Sequence, residues 1–200
     1  MSITRIRRIV VGAVAAALAT AAVTVVTSSP ASAHGYTTSP VSRAYHCKQG
    51  TATNCGPIQW EPQSVEGPKG FPSAGPADGK LCSAGLGAFD QLNDPRGGSW
   101  PKTNVSAGSY TFDWTLTAAH ATTDFRYYIT KSGWNSNHAL TRGDLDLTPF
   151  LTVPMGGVRP PYQVSHTGNL PQRSGHHVIL AVWTISDTGN AFYQCSDVNF

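Results

Sequence analysis

Ser109 to Thr117 reads Ser-Tyr-Thr-Phe-Asp-Trp-Thr-Leu-Thr, an unbroken alternation that places Tyr110, Phe112, Trp114 and Leu116 on one side. A period of two belongs to a half-buried β-strand and is incompatible with an amphipathic helix. Phe125 to Thr130 alternates in the same way, with Phe125, Tyr127 and Ile129 on one face. Shorter strands are expected over Leu145 to Val153, Tyr162 to Val164 and Gln194 to Phe200. His177 to Ser186 is apolar on both faces, as a central strand would be. Short strands separated by turn residues, without a long amphipathic helix, predict an all-β antiparallel β-sandwich.

The stretch from His34 to about Trp100 has little periodicity. Prolines (Pro40, Pro57, Pro62, Pro68, Pro72, Pro76) and glycines punctuate it, and a short helix is expected only around Leu86 to Leu92. Loops this long inside a compact domain are uncommon and usually functional. The chain therefore reads as a sandwich carrying a large, loop-rich, partly helical insertion.

The first 33 residues are a leader of another kind. Arg5, Arg7 and Arg8 precede an apolar run from Ile9 to Val26, and Ala31-Ser32-Ala33 gives the small-x-small site of a secretory signal. Cleavage after Ala33 would leave residues 34–200 as one secreted, extracellular domain beginning at His34. The leader holds three of the 14 basic residues and none of the 11 acidic ones, so the exported part is formally neutral. Such a balance gives no electrostatic reason to expect nucleic acid or an anionic membrane as partner.

All four cysteines lie after the leader. In an oxidising compartment they are expected as two disulfides, with three possible pairings. The short Cys47–Cys55 spacing favours that pair and leaves Cys82 with Cys195. Zinc is the competing reading, but no CxxC pair is present.

Cleavage would give His34 two nitrogens that a metal could use, its α-amine and its ring Nδ1, where an interior histidine offers only its ring. His120, in the turn Thr117-Ala-Ala-His-Ala-Thr-Thr123 between the two clearest strands, is the second candidate. His46, His138 and His166 read as ordinary surface residues, and His176 and His177 as one inward and one outward residue of a strand. Trp60-Glu-Pro-Gln-Ser-Val-Glu66 places an aromatic beside acids and an amide, which suits stacking on sugar rings and bonding of hydroxyls. A tryptophan tucked beneath its own loop is the alternative. Phe192, in Ser186-Asp-Thr-Gly-Asn-Ala-Phe-Tyr193, reads as a core aromatic.

Together these segments resemble the bacterial lytic polysaccharide monooxygenases of auxiliary activity family 10, the chitin-binding-protein type. The resemblance rests on His34-Gly-Tyr, Ser39-Pro, Ser42-Arg-Ala-Tyr45, Trp60 to Gly67, Gly70-Phe-Pro and Gly75-Pro-Ala-Asp-Gly79. It continues through Thr117 to His120, Arg126 to Lys131, Leu140-Thr-Arg, Ser174 to Trp183 and Asp187 to Gln194. It implies a fibronectin-III/immunoglobulin-like sandwich and one copper ion in a histidine brace. His34 would give its amine and Nδ1, and His120 its Nε2, nitrogen donors that suit both Cu(II) and Cu(I). Affinity would fall as pH drops below the α-amino pKa of roughly 8. Phe192 and Ala118 would flank the metal axially, and Glu66 would position the oxygen co-substrate or water. Trp60, Glu61, Asp187 and Asn190 would form a flat face for crystalline chitin. Cys47–Cys55 matches a bridge common in the family.

The implied activity is oxidative cleavage of β-1,4 bonds, with C1 attack favoured. It would use an external electron donor, an unknown redox partner, and O2 or H2O2 as co-substrate, and the protein would act as a monomer. A glycosidase is rejected, because Glu61 and Glu66 come from one loop and imply no groove. The rivals are a non-catalytic chitin-binding module, a cellulose-active member of the same family, and a secreted copper carrier. The carrier leaves Trp60 without a role.

Overall fold

The structure, a computed structural model, describes residues 33–200. All of the leader except Ala33 lies outside the described residues. β1 (His34–Ser39), β4 (Gly108–Ala118) and β7 (Gln163–Leu170) form an antiparallel sheet in the order β1-β4-β7. The second sheet runs β2 (Glu66–Pro68), β9 (Asn190–Asn199), β8 (His176–Ile185), β5 (Thr122–Ile129), β6 (Leu151–Pro154). β3 (Thr103–Asn104) pairs in parallel with the end of β9.

The alternation in β4 has the predicted outcome. Phe112, Trp114 and Leu116 are buried between the sheets, and Tyr110 packs at their edge. They meet Phe125, Tyr127 and Ile129 of β5 and Trp183 of β8. The opposite face of the larger sheet is covered by the loop-rich segment. Phe71, Leu81, Leu92 and Trp100 pack there on Tyr128, Leu180, Val182 and Tyr193. That second layer is why β8 is apolar on both faces.

Both expected disulfides form. Cys47–Cys55 closes a loop with a separation of 8, and Cys82–Cys195 ties the insertion to β9 across a separation of 113. Several elements were not expected from the sequence, among them β1, the short strands β2 and β3, and the helix α1 (Arg43–Gln49). Local signals do mark α1: the Ser42 side chain caps its start, and Gly50 ends it at φ 72°. Arg43, on this helix, donates from Nε to buried Asp197 at 2.6 Å, and Asp197 also meets His176 Nε2 at 2.7 Å.

Two histidines depart from their expected surface places: His46 is half-buried in α1, where burial lowers its pKa, and His166 is the second. His166 lies in β7 and is buried, because β7 extends well past Val164. Trp114 Nε1 donates to the Tyr127 hydroxyl (3.0 Å), which sits 2.7 Å from His166 Nδ1. This order suits a neutral imidazole accepting the tyrosine proton. Burial pushes His166 down to about 4, against a small opposing effect of the Asp113 charge. His177, buried and bonded to Thr130, is lowered in the same direction.

Below the ordinary histidine value of about 6.5, the unfolded chain binds a proton that folded His166 refuses. Its stabilisation is therefore complete above about pH 6.5 and is lost as pH falls towards 4. Melting temperatures at pH 7 and pH 4.5 should show a fall for the parent protein and a shallower one for His166→Gln. Equal slopes would exclude His166 as a cause.

Candidate functional site

One end of the sandwich gathers the start of β1, the β4–β5 turn, the β8–β9 turn and the start of β2. His34 pairs with Ala118, the last residue of β4, and Glu66 pairs with Phe192 near the start of β9. The His34 ring lies 6.4 Å from the ring of Phe192, which is buried against Trp183. Every residue singled out from the sequence except Trp60 and Glu61 is thus joined by register, ring contact or hydrogen bond.

Two glycines permit this convergence through backbone approach. A Cβ on Gly35 would stand 2.7 Å from Leu116 Cδ2, and one on Gly67 would stand 2.3 Å from the Ala84 carbonyl oxygen. These neighbours of His34 and Glu66 have no room for a side chain. Gly35 N–H also donates to the Gln63 carbonyl at 3.1 Å, binding β1 to the Trp60–Glu66 loop.

The His120 turn is held from below. Thr122 Oγ1 donates to the His120 carbonyl (2.8 Å) and accepts from Trp183 Nε1 (2.8 Å). Ser186 N–H donates to the Ala121 carbonyl at 2.8 Å, joining the two turns. His120 Nδ1 then lies 3.2 Å from Asp187 Oδ1, and Asn190 Nδ2 donates to Glu66 Oε1 at 2.8 Å. One ring nitrogen of His120 is occupied, and its Nε2 is the nitrogen left to serve a ligand. Lys69 was not singled out from the sequence. Its Nζ donates to the carbonyls of Thr188 and Ile185, fastening the β8–β9 turn. A lysine bonding carbonyls carries no motif by which it could have been found.

Trp60 is 80% exposed, so it is not tucked beneath its loop. It follows a 3₁₀ turn (Gly56–Gln59) anchored by buried Cys55, and Glu61 beside it is half-buried. Among the described residues, no three His, Cys, Asp or Glu side chains come together as a metal-binding group. The site offers two imidazoles instead. A third nitrogen could come only from the His34 main chain, which is a peptide amide while Ala33 remains attached. A two-imidazole set without thiolates, beside an apolar ring, fits a nitrogen-coordinated copper better than zinc of the tetrahedral thiolate kind.

Residues 34–198 match the family described as "Lytic polysaccharide mono-oxygenase, cellulose-degrading". The AA10 family lytic polysaccharide monooxygenase C of Mycosarcoma maydis is 56% identical over 172 residues, covering 84% of this chain and 52% of that protein. The GlcNAc-binding protein A of Shewanella oneidensis is 50% identical, covering 92% of this chain and 39% of that one. The chain thus spans about half or less of these relatives. Among solved structures, an AA10 lytic polysaccharide monooxygenase from Streptomyces lividans is 64% identical, with a TM-score of 0.82 over 84% of this chain and all of that one. A Bacillus amyloliquefaciens CBM33 in complex with Cu(I) is 42% identical, with a TM-score of 0.76 over 83% of this chain and 99% of its own. The two-sheet architecture is the immunoglobulin-like sandwich of these proteins.

Proposed function

The chain belongs to the AA10 lytic polysaccharide monooxygenases, copper enzymes that act on polysaccharides, and on that premise we propose that it is a secreted monooxygenase cleaving β-1,4 bonds of crystalline chitin with C1 oxidation favoured. Residues 1–33 would be the signal removed on export, and 34–200 the catalytic domain, acting as a monomer.

The observation that carries this reading is the pairing of His34 with Ala118, two residues before His120, at one end of the sandwich, with Asp187 on His120 Nδ1. In this proposal His34 holds copper through its amine and Nδ1, and His120 through Nε2. When bound, copper would supply the one-electron redox chemistry that couples an external electron donor and O2 or H2O2 to oxidation of the sugar at the linkage. Asp187 fixes the tautomer and orientation of His120. Phe192, buried and beside His34, would keep water and further donors away from the metal, and Ala118, paired with His34, would add to that crowding. Glu66, steadied by Asn190, orients the oxygen co-substrate or moves a proton to it. Trp60, with Glu61, Asp187 and Asn190, binds the polysaccharide surface; its exposed indole suits a sugar face.

Chitin is favoured by the similarity to GlcNAc-binding proteins. The family's description as cellulose-degrading supports cellulose as the second reading. Mass spectrometry of products from β-chitin and from cellulose, with and without ascorbate and copper, tests both. Aldonic-acid chitin oligosaccharides should form only with both additions. Oxidised products from cellulose alone would replace the substrate, and tight chitin binding without oxidised product would leave a binding module.

A further inference from the structure

We infer that Arg159, with Tyr162, forms a second substrate-anchoring limb on the far side of His120 from Trp60, and that this limb helps to set which sugar carbon is presented to the metal. This inference deepens the polysaccharide reading above and rests on it.

Glu66 opens β2, at one edge of the larger sheet, and Trp60 precedes it by six residues in the same loop. The loop of residues 155–162 follows β6, at the opposite edge of the same sheet. Three strands, β9, β8 and β5, lie between those edges, so the two limbs stand roughly four strand spacings, or about 19 Å, apart. The turns carrying His120 and Asp187 belong to those middle strands. A polysaccharide chain laid across this end would meet Trp60 first, then the histidines, then the 155–162 loop.

Arg159 shares a shallow depression of about 270 Å³ with His120, Asp187, Ala119 and Ala121. Among the described residues its guanidinium has no hydrogen-bond or ion-pair partner. Among the described residues every other arginine and lysine makes an ion pair, a hydrogen bond or a ring contact: Arg43 with Asp197, Arg126 with Asp124, Arg142 with Asp78, Arg173 with Asp146, Lys80 with Asp90 and Lys48 over Tyr36. Arg96, Lys69, Lys102 and Lys131 bond main-chain carbonyls. Among the described residues the one arginine or lysine left unused therefore stands at the rim of the proposed site, with five N–H donors to offer hydroxyl and carbonyl oxygens.

The loop is built to present these groups. Thr122 N–H donates to the Val158 carbonyl (3.0 Å), and Leu116 N–H to the Tyr162 carbonyl (2.7 Å). Between these clamps Pro160 is buried, and Pro160 and Pro161 stiffen the backbone. Val158 is 60% exposed and Tyr162 57%, against the ordinary tendency of such side chains. Three residues apart in one clamped loop, an exposed aromatic and a donor-rich cation together can stack a sugar and bond its oxygens. Two anchors fix a chain against sliding, and position relative to the oxidant decides which hydrogen is removed.

The test uses protein beginning at His34, with Arg159→Ala, Arg159→Lys and Tyr162→Ala variants. Binding isotherms on β-chitin and on cellulose are measured with metal-free protein, and the ratio of C1- to C4-oxidised ends with copper and ascorbate. Arg159→Ala should bind about tenfold more weakly at an unchanged melting temperature. The C1:C4 ratio should shift, and Arg159→Lys should recover part of the binding. Binding and ratio both equal to the parent's would overturn the inference. If the parent releases no oxidised product, the monooxygenase reading fails while the binding isotherms still judge Arg159. A parent retained on neither polysaccharide overturns both.

Discussion

A protein that begins at Ala33 is expected to bind Cu(II) at least about a hundredfold more weakly than one that begins at His34, and to release no oxidised oligosaccharide. The two chains differ by one residue, whose effect is to turn an amine into an amide. An α-amine of pKa roughly 8 gives up its proton readily and becomes a strong nitrogen donor, whereas a peptide N–H does not at neutral pH. The extension also breaks the chelate in which one residue holds the metal twice. His120 would keep its Asp187-held ring and contribute a single imidazole. Because Ala33 is buried at the end of β1, the added residue should leave the metal-free melting temperature within a degree or two. Titration calorimetry gives the affinity directly. For the His34 protein the affinity should also fall about tenfold per pH unit just below about 8, as the amine takes a proton. Equal affinities would remove the main-chain nitrogen from the proposed ligand set.

Loss of the Cys82–Cys195 bridge should cost the most stability of any change considered. The chain-entropy relation gives about 4.8 kcal/mol for its separation of 113, against about 2.5 kcal/mol for the separation of 8 at Cys47–Cys55. In a domain of this size, that corresponds to a fall in melting temperature of roughly 10–19 °C for Cys82→Ala with Cys195→Ala. Alanine avoids placing hydroxyls where both cysteines are buried. The bridge holds the insertion to the same face on which Phe71, Leu81 and Trp100 pack, so the proposed polysaccharide binding through Trp60 should weaken near the new melting point and not far below it. Calorimetry of the double variant beside Cys47→Ala with Cys55→Ala decides the matter: a larger loss for the short loop would contradict the entropic account.

Much of the sandwich was legible because alternation is a local signal. Phe112, Trp114 and Leu116 in β4, and Phe125 and Tyr127 in β5, declare their inward face by spacing alone. β1 was not legible, because His34-Gly-Tyr-Thr-Thr-Ser39 has no alternation of its own and is a strand only through its register with β4. His166 was misjudged for the same reason. Its short, polar surroundings look like loop, and only pairing with β4 places it under Phe125 and Tyr127.

The sequence by itself set the covalent possibilities: a histidine directly after a leader-like segment and a small-x-small site, four cysteines beyond it, and a tryptophan set among polar residues. It determined the fold class as well, since hydrophobic period is written residue by residue. Only the tertiary structure decided which residues meet. His34, Glu66, His120, Asp187 and Asn190 lie far apart in the chain, and sheet register and turn hydrogen bonds bring them to one end of the sandwich. The partnering of charges was decided there too. Arg43 and Asp197 are 154 residues apart and become a buried pair, while Arg159, no different as a letter in the sequence, remains without one. Hydrogen bonds and ion pairs act over a few ångströms, so no pattern in sequence spacing records them when the contact is made by folding.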